Sequence, residues 1–422
     1  MVTIKRISAI EILDSRGNPT IETSVELNDG SIGIASVPSG ASVSTYEAWE
    51  IRDGDPHRYH GMGVLKAVSN VNNIIGPKMN GMDVVRQGKV DQTMLELDGT
   101  PNKIRLGANA ILSVSLAVAD ASAKALKLPL YVYIAELIQN KLPKKFDHMP
   151  TPTFNVINGG KHGTGNLDIQ EFHVVPATIK PYHEALRMGE EVYQQIKEIL
   201  IARNANYAVG DEGGYAPNLF TNLDALEIMM EAIRNTPYKI GLEIFLGLDV
   251  AATHIKKENL YVIKDRATPL TTEEFIEFLS DLHRDYRILL LEDPLSENDW
   301  KGWQILTSKL GNEINIIGDD LLATNPQRLQ KAIAEKACTA ILIKPNQIGT
   351  LSETLAVIKI ANAADFKVIV SNRSGETNDT FIADLAVGVG AEYIKFGAPA
   401  RGERVAKYNR LLHIERELKI TS

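Results

Sequence analysis

Six short apolar runs between residues 245 and 395 constrain this chain most, because each of them ends in a charged or carboxamide residue. The residues at these ends are Asp249, Glu292, Asp319, Lys344, Asn372 followed by Arg373, and Lys395. Apolar runs of this length, separated by helix-like stretches, are typical of buried parallel strands. In a closed barrel the C-terminal ends of such strands open on one face. The sequence therefore predicts a β/α barrel whose mouth collects carboxylates, lysines and an arginine.

The chain divides into two predicted domains near residue 145. Alternating apolar residues predict strands over 4–12, 21–27 and 32–37, and helical patterns follow over roughly 61–76, 83–97 and 107–127. Strands followed by helices predict an α+β capping domain over residues 1–140. Residues 141–152 have the composition of a linker. Strands alternate with helices from residue 154, so residues 153–422 are predicted to form the barrel.

Composition and charge argue against several classes of partner. The net charge of -8 is spread without long like-charge runs, which disfavours nucleic acid or an anionic membrane as a partner. The single cysteine, Cys338, fits a small buried side chain better than a nucleophile. The first residues lack an apolar signal segment, and no uncharged apolar span is long enough to cross a bilayer. We therefore expect a soluble, cytoplasmic protein.

The acids and lysines at the strand ends predict a metal site with a base beside it. Asp249, Glu292 and Asp319 follow successive strands, and converging carboxylate oxygens suit Mg²⁺, which also accepts water and substrate oxygens as ligands. Taken singly, each acid equally fits a cap for the next helix. Lys344 and Lys395 share this face, where a nearby cation can lower the pKa of a lysine and make it a base. Either lysine also fits a plain ion pair with an acid.

Loops next to the predicted strands add further candidate ligands. The segment 373–376, Arg-Ser-Gly-Glu, resembles an anion site, since a guanidinium fork, a hydroxyl and an accessible backbone all bind phosphate. Glycine-rich segments surround His162 and Glu212, and Gln170 and Glu171 follow the first of these segments. Glycines let a loop bring polar groups close to a ligand. Each of these residues also fits an ordinary surface loop, and the sequence alone leaves that alternative open.

Motifs along nearly the whole chain resemble those of enolase. They are Ser15-Arg16-Gly17-Asn18-Pro19-Thr20, Pro38-Ser39-Gly40-Ala41-Ser42, Leu97-Asp98-Gly99-Thr100-Pro101-Asn102-Lys103, Leu106-Gly107-Ala108-Asn109-Ala110, Gly210-Asp211-Glu212-Gly213-Gly214, Asn346-Gln347-Ile348-Gly349-Thr350-Leu351-Ser352-Glu353 and Gly397-Ala398-Pro399-Ala400-Arg401. The resemblance runs from Ile7 to about Leu418, with the motifs in order and at the family's spacing.

The resemblance implies a fold, a reaction and a role for each site residue. Enolases have an N-terminal α+β domain that caps a barrel of modified strand order, and they convert 2-phosphoglycerate to phosphoenolpyruvate and water with two Mg²⁺ ions. By resemblance, the first Mg²⁺ is held by Asp249, Glu292 and Asp319, and the second, substrate-dependent one is held with the help of Ser42. The implied base is Lys344, the implied acid is Glu212 assisted by Glu171, and the implied substrate contacts are Lys395, Arg373, Ser374, His162 and Gln170. A homodimer is implied as well.

The departures from the family pattern lie at the predicted mouth. Asn372, expected to line the pocket, stands where the family has a histidine near the leaving hydroxyl, and asparagine cannot carry a proton. Further departures occur at 43–46, 163–165, Pro345 and Phe396. They leave two alternatives to enolase activity: an enolase-like paralogue acting on a modified phospho-substrate, such as a carboxyphosphonoenolpyruvate synthase, and a non-catalytic enolase-like binding protein. The retained acids and lysines count against the second alternative.

Overall fold

The computed structural model of the chain describes residues 1–40, 44–139, 146, 148–163 and 167–419. The chain opens with an antiparallel meander of strands in the order β1 (Ile4–Leu13), β2 (Pro19–Leu27) and β3 (Ile32–Ser36). Buried residues alternate with half-buried ones along most of β2, which is the pattern of a sheet covered on one face. The strands predicted for this part of the chain are confirmed.

Helices follow this sheet in the chain, and the longest of them packs against it. They are α1 (Leu65–Asn70), α2 (Gly76–Met79), α3 (Gln87–Asp98), α4 (Ala108–Ala125) and α5 (Leu130–Gln139), with a π turn (Val71–Ile75) between the first two. Helix α4 is buried over nearly its whole length. It lies so close to β3 that a methyl group at Gly33 would be 2.2 Å from the carbonyl oxygen of Ala117, so this contact requires glycine. The predicted helices are confirmed, whereas α5 was not predicted.

The second part of the chain forms a closed barrel, as predicted. Its strands are β4 (Thr151–Asn158), β5 (Glu171–Pro176), β6 (Ile244–Asp249), β9 (Ile288–Glu292), β10 (Asn315–Gly318), β11 (Ala340–Ile343), β12 (Lys367–Ser371) and β13 (Tyr393–Lys395), and a small hairpin of β7 (Lys256–Lys257) and β8 (Leu260–Tyr261) lies outside it. The order around the barrel is β10-β11-β12-β13-β4-β5-β6-β9.

Helices surround the barrel strands. They are α6 (Tyr182–Ala202), α7 (Asn222–Arg234), α8 (Thr272–Tyr286), α9 (Trp300–Leu310), α10 (Pro326–Glu335), α11 (Pro345–Ile348), α12 (Leu351–Ala363), α13 (Phe381–Val389) and α14 (Gly402–Leu418). Among the helices that the structure describes, none has both the length and the apolar character needed to cross a membrane.

The start of the barrel differs from the predicted alternation of strands and helices. A loop that includes the 3-10 turn Gly160–His162 joins β4 to β5, and β5 runs antiparallel to both β4 and β6. Parallel neighbours need a long crossover, usually a helix, whereas antiparallel neighbours do not. Helices α6 and α7 then both lie between β5 and β6. Because β5 is reversed, its first residue, Glu171, lies at the mouth opposite Asp249.

The N-terminal domain contacts the barrel at the mouth. The backbone N–H of Ser39 donates to the carbonyl oxygen of Gly375 at 2.8 Å, and the N–H of Gly375 donates back at 2.9 Å. The N–H of Ser15 donates to the carbonyl oxygen of Glu376 at 2.7 Å. A methyl group at Gly375 would lie 2.3 Å from Oδ2 of Asp14, so this close approach also requires glycine. These bonds fix the N-terminal domain to the segment that follows β12.

Candidate active site at the barrel mouth

A small cavity opens at the barrel mouth. The expected site residues that line it are His162, Gln170, Glu171, Glu212, Asp249, Asp319, Lys344, Asn372, Arg373, Ser374 and Lys395. Glu292 lies behind this lining, where its carboxylate accepts hydrogen bonds from Lys395. Ser42 lies outside the described residues. The strand ends and the loops beside them thus bring these residues together.

Lys395, at the end of β13, is the centre of a buried ion cluster. Its Nζ lies 2.9 Å from Oδ2 of Asp249, 2.8 Å from Oε1 of Glu292 and 3.0 Å from Oε2 of Glu171. Burial acts to lower the pKa of Lys395, but the three carboxylates outweigh burial and hold the pKa well above its usual value. Burial and the charge of Asp249 raise the pKa of Glu292 well above its usual range. Lys395 is therefore a fixed cation within a cluster of acids.

Lys344 directly follows β11 and pairs with Asp319, which directly follows β10. Its Nζ donates to Oδ2 of Asp319, and Nε2 of Gln347 donates to the other carboxylate oxygen at 3.3 Å. Burial acts to lower the pKa of Lys344, but Asp319 outweighs burial and the pKa is raised. This direction is opposite to the lowered pKa that we expected of a base, because the carboxylate favours the ammonium form. The proton affinity of Lys344 therefore depends on what else Asp319 binds.

Glu171 joins two histidines at the first residue of β5. Its Oε1 lies 2.8 Å from Nδ1 of His162, and its Oε2 lies 2.8 Å from Nε2 of His173. Burial acts to raise the pKa of Glu171, but Lys395 and both histidines hold it well below its usual range. The carboxylate of Glu212 comes close to His162 and Glu171, and its Oε2 is buried without a hydrogen-bond partner among the described residues. We did not predict His173 from the sequence.

Arg373 and Ser374 follow β12 and are held by neighbours from both domains. Nη1 of Arg373 donates to Oε2 of Glu47 at 2.9 Å and to Oδ1 of Asn346 at 3.1 Å. The guanidinium of Arg404 donates to the carbonyl oxygens of Arg373 and Ser374, each at 2.7 Å. Glu47 belongs to the N-terminal domain, and sequence analysis did not find it. Its contact shows that the two domains build this side of the site together.

Asn372 lines the same cavity between β12 and Arg373. Its Nδ2 donates to the carbonyl oxygen of Arg373 at 2.9 Å. Its Oδ1 is buried, and no described residue forms a hydrogen bond with it. The carboxamide therefore offers an acceptor to the site but no titratable proton.

Two models of protein families match this chain. The model of the enolase N-terminal domain matches residues 4–134, and the model of the enolase C-terminal TIM barrel domain matches residues 147–422. The chain belongs to the enolase family. Membership confirms the resemblance of the motifs and the predicted fold class, and it indicates an enzyme of the enolase-superfamily type.

The acids of this enolase-family mouth fit a divalent cation, and the family generally uses Mg²⁺. In the described chain, two groups have ligand atoms close enough to hold an ion: His162 with Glu171 and Glu212, and Asp293 with Asp319 and Asp320. Asp249 and Glu292 belong to neither group, and both carboxylates pair with Lys395. Crowded hard oxygen donors of this kind suit Mg²⁺.

Asp293 and Asp320 were not among the predicted site residues. The two oxygens of Asp293 accept the backbone N–H groups of Asp319 and Asp320, at 3.0 and 2.7 Å. Burial and the charge of Asp320 raise the pKa of Asp293 well above its usual range. Burial and the charge of Asp319 raise the pKa of Asp320 to about 7. The sequence signal for these residues is the acid doublet at each of two successive strand ends, Glu292-Asp293 and Asp319-Asp320.

Proposed function

We propose that this chain catalyses the Mg²⁺-dependent dehydration of 2-phosphoglycerate to phosphoenolpyruvate, beginning with abstraction of the C2 proton. The observation that carries the proposal is the grouping of Lys344, Lys395 and the strand-end acids around one cavity. A proton beside a carboxylate is very weakly acidic, because its removal adds charge to a substrate that is already anionic. A base and several cations must therefore surround the same carbon.

The metal ligands and the base are coupled in this proposal. Bound Mg²⁺, held by Asp249, Glu292 and Asp319 and at a second site with Ser42, would neutralise the charge that develops on the substrate carboxylate. With Asp319 serving as a ligand, its charge would no longer favour the ammonium form of Lys344. The pKa of the lysine would then fall, and Lys344 could accept the C2 proton.

Other residues of the site bind the substrate's anionic groups and protonate the leaving hydroxyl. Lys395 contacts the substrate carboxylate, while Arg373 and Ser374 bind the phosphate. His162, Gln170 and Asn372 line the pocket. Glu212, with Glu171 beside it, donates a proton to the departing C3 hydroxyl, which leaves as water. One proton is thus taken from C2 and one is given to the hydroxyl, as the overall dehydration requires.

Formation of phosphoenolpyruvate from 2-phosphoglycerate tests the proposal. With the full chain and Mg²⁺ we expect turnover that stops when a chelator removes the metal and returns when Mg²⁺ is added. A chain that neither forms phosphoenolpyruvate nor exchanges the C2 proton with solvent would contradict this function. That outcome would leave an enolase-like paralogue that requires another substrate and the non-catalytic binding protein.

A second candidate is an enolase-like paralogue that abstracts the same kind of proton from a modified phospho-substrate, as a carboxyphosphonoenolpyruvate synthase does. The observation that favours it is Asn372, which places a carboxamide where a proton carrier is expected. Exchange of the C2 proton of 2-phosphoglycerate without dehydration would support this candidate over the first. Dehydration at a rate comparable to exchange would exclude it.

We also propose that the chain works as a cytoplasmic homodimer built on the N-terminal domain. Exposed apolar side chains lie on β1 and β3, at Ile10, Leu13, Ile32 and Ile34, and a second copy would remove them from water. Sedimentation at dilute concentration tests this part. A species with the mass of two chains is expected, and a single chain at all concentrations would contradict it.

A further inference from the structure

His173 lies inside the barrel, one layer below the mouth. Side chains two residues apart on a strand share a face, so His173 lies on the same side of β5 as Glu171 above it and Val175 below it. Val175 belongs to the apolar filling of the barrel interior. A methyl group at Gly247 on the neighbouring strand would meet Cβ of His173 at 3.3 Å. The imidazole, 3% exposed, is thus enclosed between the site and the barrel core.

The only hydrogen bond described for the His173 side chain is the one to Glu171. Nε2 of His173 and Nζ of Lys395 both reach Oε2 of Glu171, at 2.8 and 3.0 Å, and Nδ1 of His162 reaches Oε1 at 2.8 Å. Glu171 is fully buried and its Oε2 is paired with the ammonium of Lys395, so its carboxylate oxygens act as acceptors. Both histidine nitrogens must therefore be the donors.

These bonds determine the orientation of Glu171 and, through it, that of His162. Two donors at Oε2 fix the rotation of the carboxylate and leave Oε1 directed at His162. The bond from Nδ1 then fixes the His162 ring and leaves its other nitrogen, Nε2, for the cavity that His162 lines. Partners of this kind, which orient a site residue without touching the ligand, typically change activity by about 10- to 100-fold when removed.

We propose that His173 is a positioning residue, which holds the Glu171 carboxylate between Lys395 and His162 and so orients His162 at the end of the cavity where the hydroxyl leaves. The kinetic consequence rests on the proposed function. The contact itself does not, and it can be tested without turnover. Neither Glu171 nor Lys344 is altered in the test, so the step at C2 serves as an internal reference.

Two variants distinguish the effect of losing the hydrogen bond from the effect of losing the packing of the ring. His173→Gln keeps an N–H donor at a similar reach, whereas His173→Met keeps a similar volume without a donor. We expect His173→Met to lower dehydration of 2-phosphoglycerate by about 10- to 100-fold with C2 proton exchange unchanged. His173→Gln should recover most of the lost rate. Thermal unfolding of each variant checks that it is folded.

Three kinetic results would overturn the proposal. They are an unchanged dehydration rate in a folded His173→Met variant, an equal loss of exchange and dehydration in that variant, and a His173→Gln variant that is no better than His173→Met. The last two would show that the ring serves packing alone.

The NMR signal of the His162 ring provides a second measurement that does not need a substrate. With ¹⁵N-labelled histidine, the N–H proton that joins His162 to Glu171 is identified by its loss in His162→Gln. We expect this signal to persist in His173→Gln and to shift or vanish in His173→Met. An unshifted signal in His173→Met would overturn the inference. If the native chain shows the signal but neither turns over nor exchanges the C2 proton, only the proposed function is overturned. If His173→Met does not fold, loss of the signal in folded His173→Gln would overturn the inference instead.

Discussion

The carboxamide of Asn372 is the single side chain on which the choice between the two candidate reactions depends. It lines the cavity, bonds to the backbone of Arg373 and has no proton to transfer. We expect Asn372→His to raise the rate of dehydration relative to C2 proton exchange, because an imidazole titrates near neutral pH and can carry a proton to the hydroxyl. Asn372→Gln, which adds length without a titratable group, is the control. Equal ratios of the two rates in native chain and both variants would refute this role.

At the residue scale, the sequence predicts the polar groups at strand ends well, because each of them ends an apolar run. Lys344, Lys395 and the three acids were found in this way. His173 and Glu47 escaped, for two reasons. His173 interrupts a buried strand and can be recognised only by its spacing of two from Glu171, and Glu47 reaches the barrel from another domain, which no local pattern reveals.

At the element scale, the segment after residue 43 fastens the N-terminal domain to the barrel. Besides the bond from Arg373 to Glu47, the guanidinium of Arg328 lies 3.8 Å from the centre of the Tyr46 ring. The N–H of Ala48 donates to the carbonyl oxygen of Gln347 at 2.8 Å. The side chains of Glu47 and Arg373 are each 4% exposed, so their ion pair is almost shielded from water. This pair should therefore contribute much of the docking of the segment.

We expect Glu47→Gln to loosen this segment, because it replaces a charged acceptor with a neutral one. Hydrogen bonds to charged groups contribute about 1.5–3 kcal/mol. Amide hydrogen exchange of Ala48 should then quicken by about 10- to 100-fold, since each 1.4 kcal/mol is a factor of ten. Glu96→Gln, a change at an exposed acid on α3, is the matched control. Exchange at Ala48 that is equally fast in native chain and Glu47→Gln would contradict the assigned role of the pair.

The order and direction of the barrel strands show what sequence patterns can predict and what they cannot. The runs of β6 and of β9 to β13 are predicted by the sequence because helices separate them. β4 and β5 are buried at every position. A fully buried strand gives the same apolar run whether it is parallel or antiparallel, so the sequence alone does not distinguish the reversed β5 from a strand of the regular alternation. The reversal has a consequence for the site, because it places Glu171 at the mouth.

At the scale of the whole molecule, Asp379 joins the two domains. Its carboxylate accepts the N–H of Ser36 at the end of β3 and the N–H of Phe381 at the start of α13, at 2.8 and 2.6 Å. Burial raises the pKa of Asp379 to about 6, although these two bonds act against the shift. The folded chain thus binds this proton more tightly than the unfolded chain. The contribution of Asp379 to stability is therefore fully present below the unfolded pKa and is lost as pH rises through about 6.

We expect Asp379→Asn to gain stability relative to the native chain as pH rises. The free energy of unfolding, measured in urea at about pH 5 and about pH 8, should shift in favour of the variant by about 1 kcal/mol between the two conditions. Other titrating groups contribute equally to the native chain and the variant, so their contributions cancel when the variant is compared with the native chain at each pH. A difference between variant and native chain that is the same at both pH values would contradict the raised pKa.

The most direct test of the proposed chemistry is the exchange of the C2 proton of 2-phosphoglycerate in deuterated water with Mg²⁺. We predict that the native chain exchanges this proton and that Lys344→Met lowers the rate by about 100-fold or more, as expected for removal of a general base. Lys309→Met, a change at a more exposed lysine on α9, should leave the rate unchanged. Exchange that persists in a folded Lys344→Met variant, or that is absent in the native chain, would contradict the assignment of Lys344 as the base.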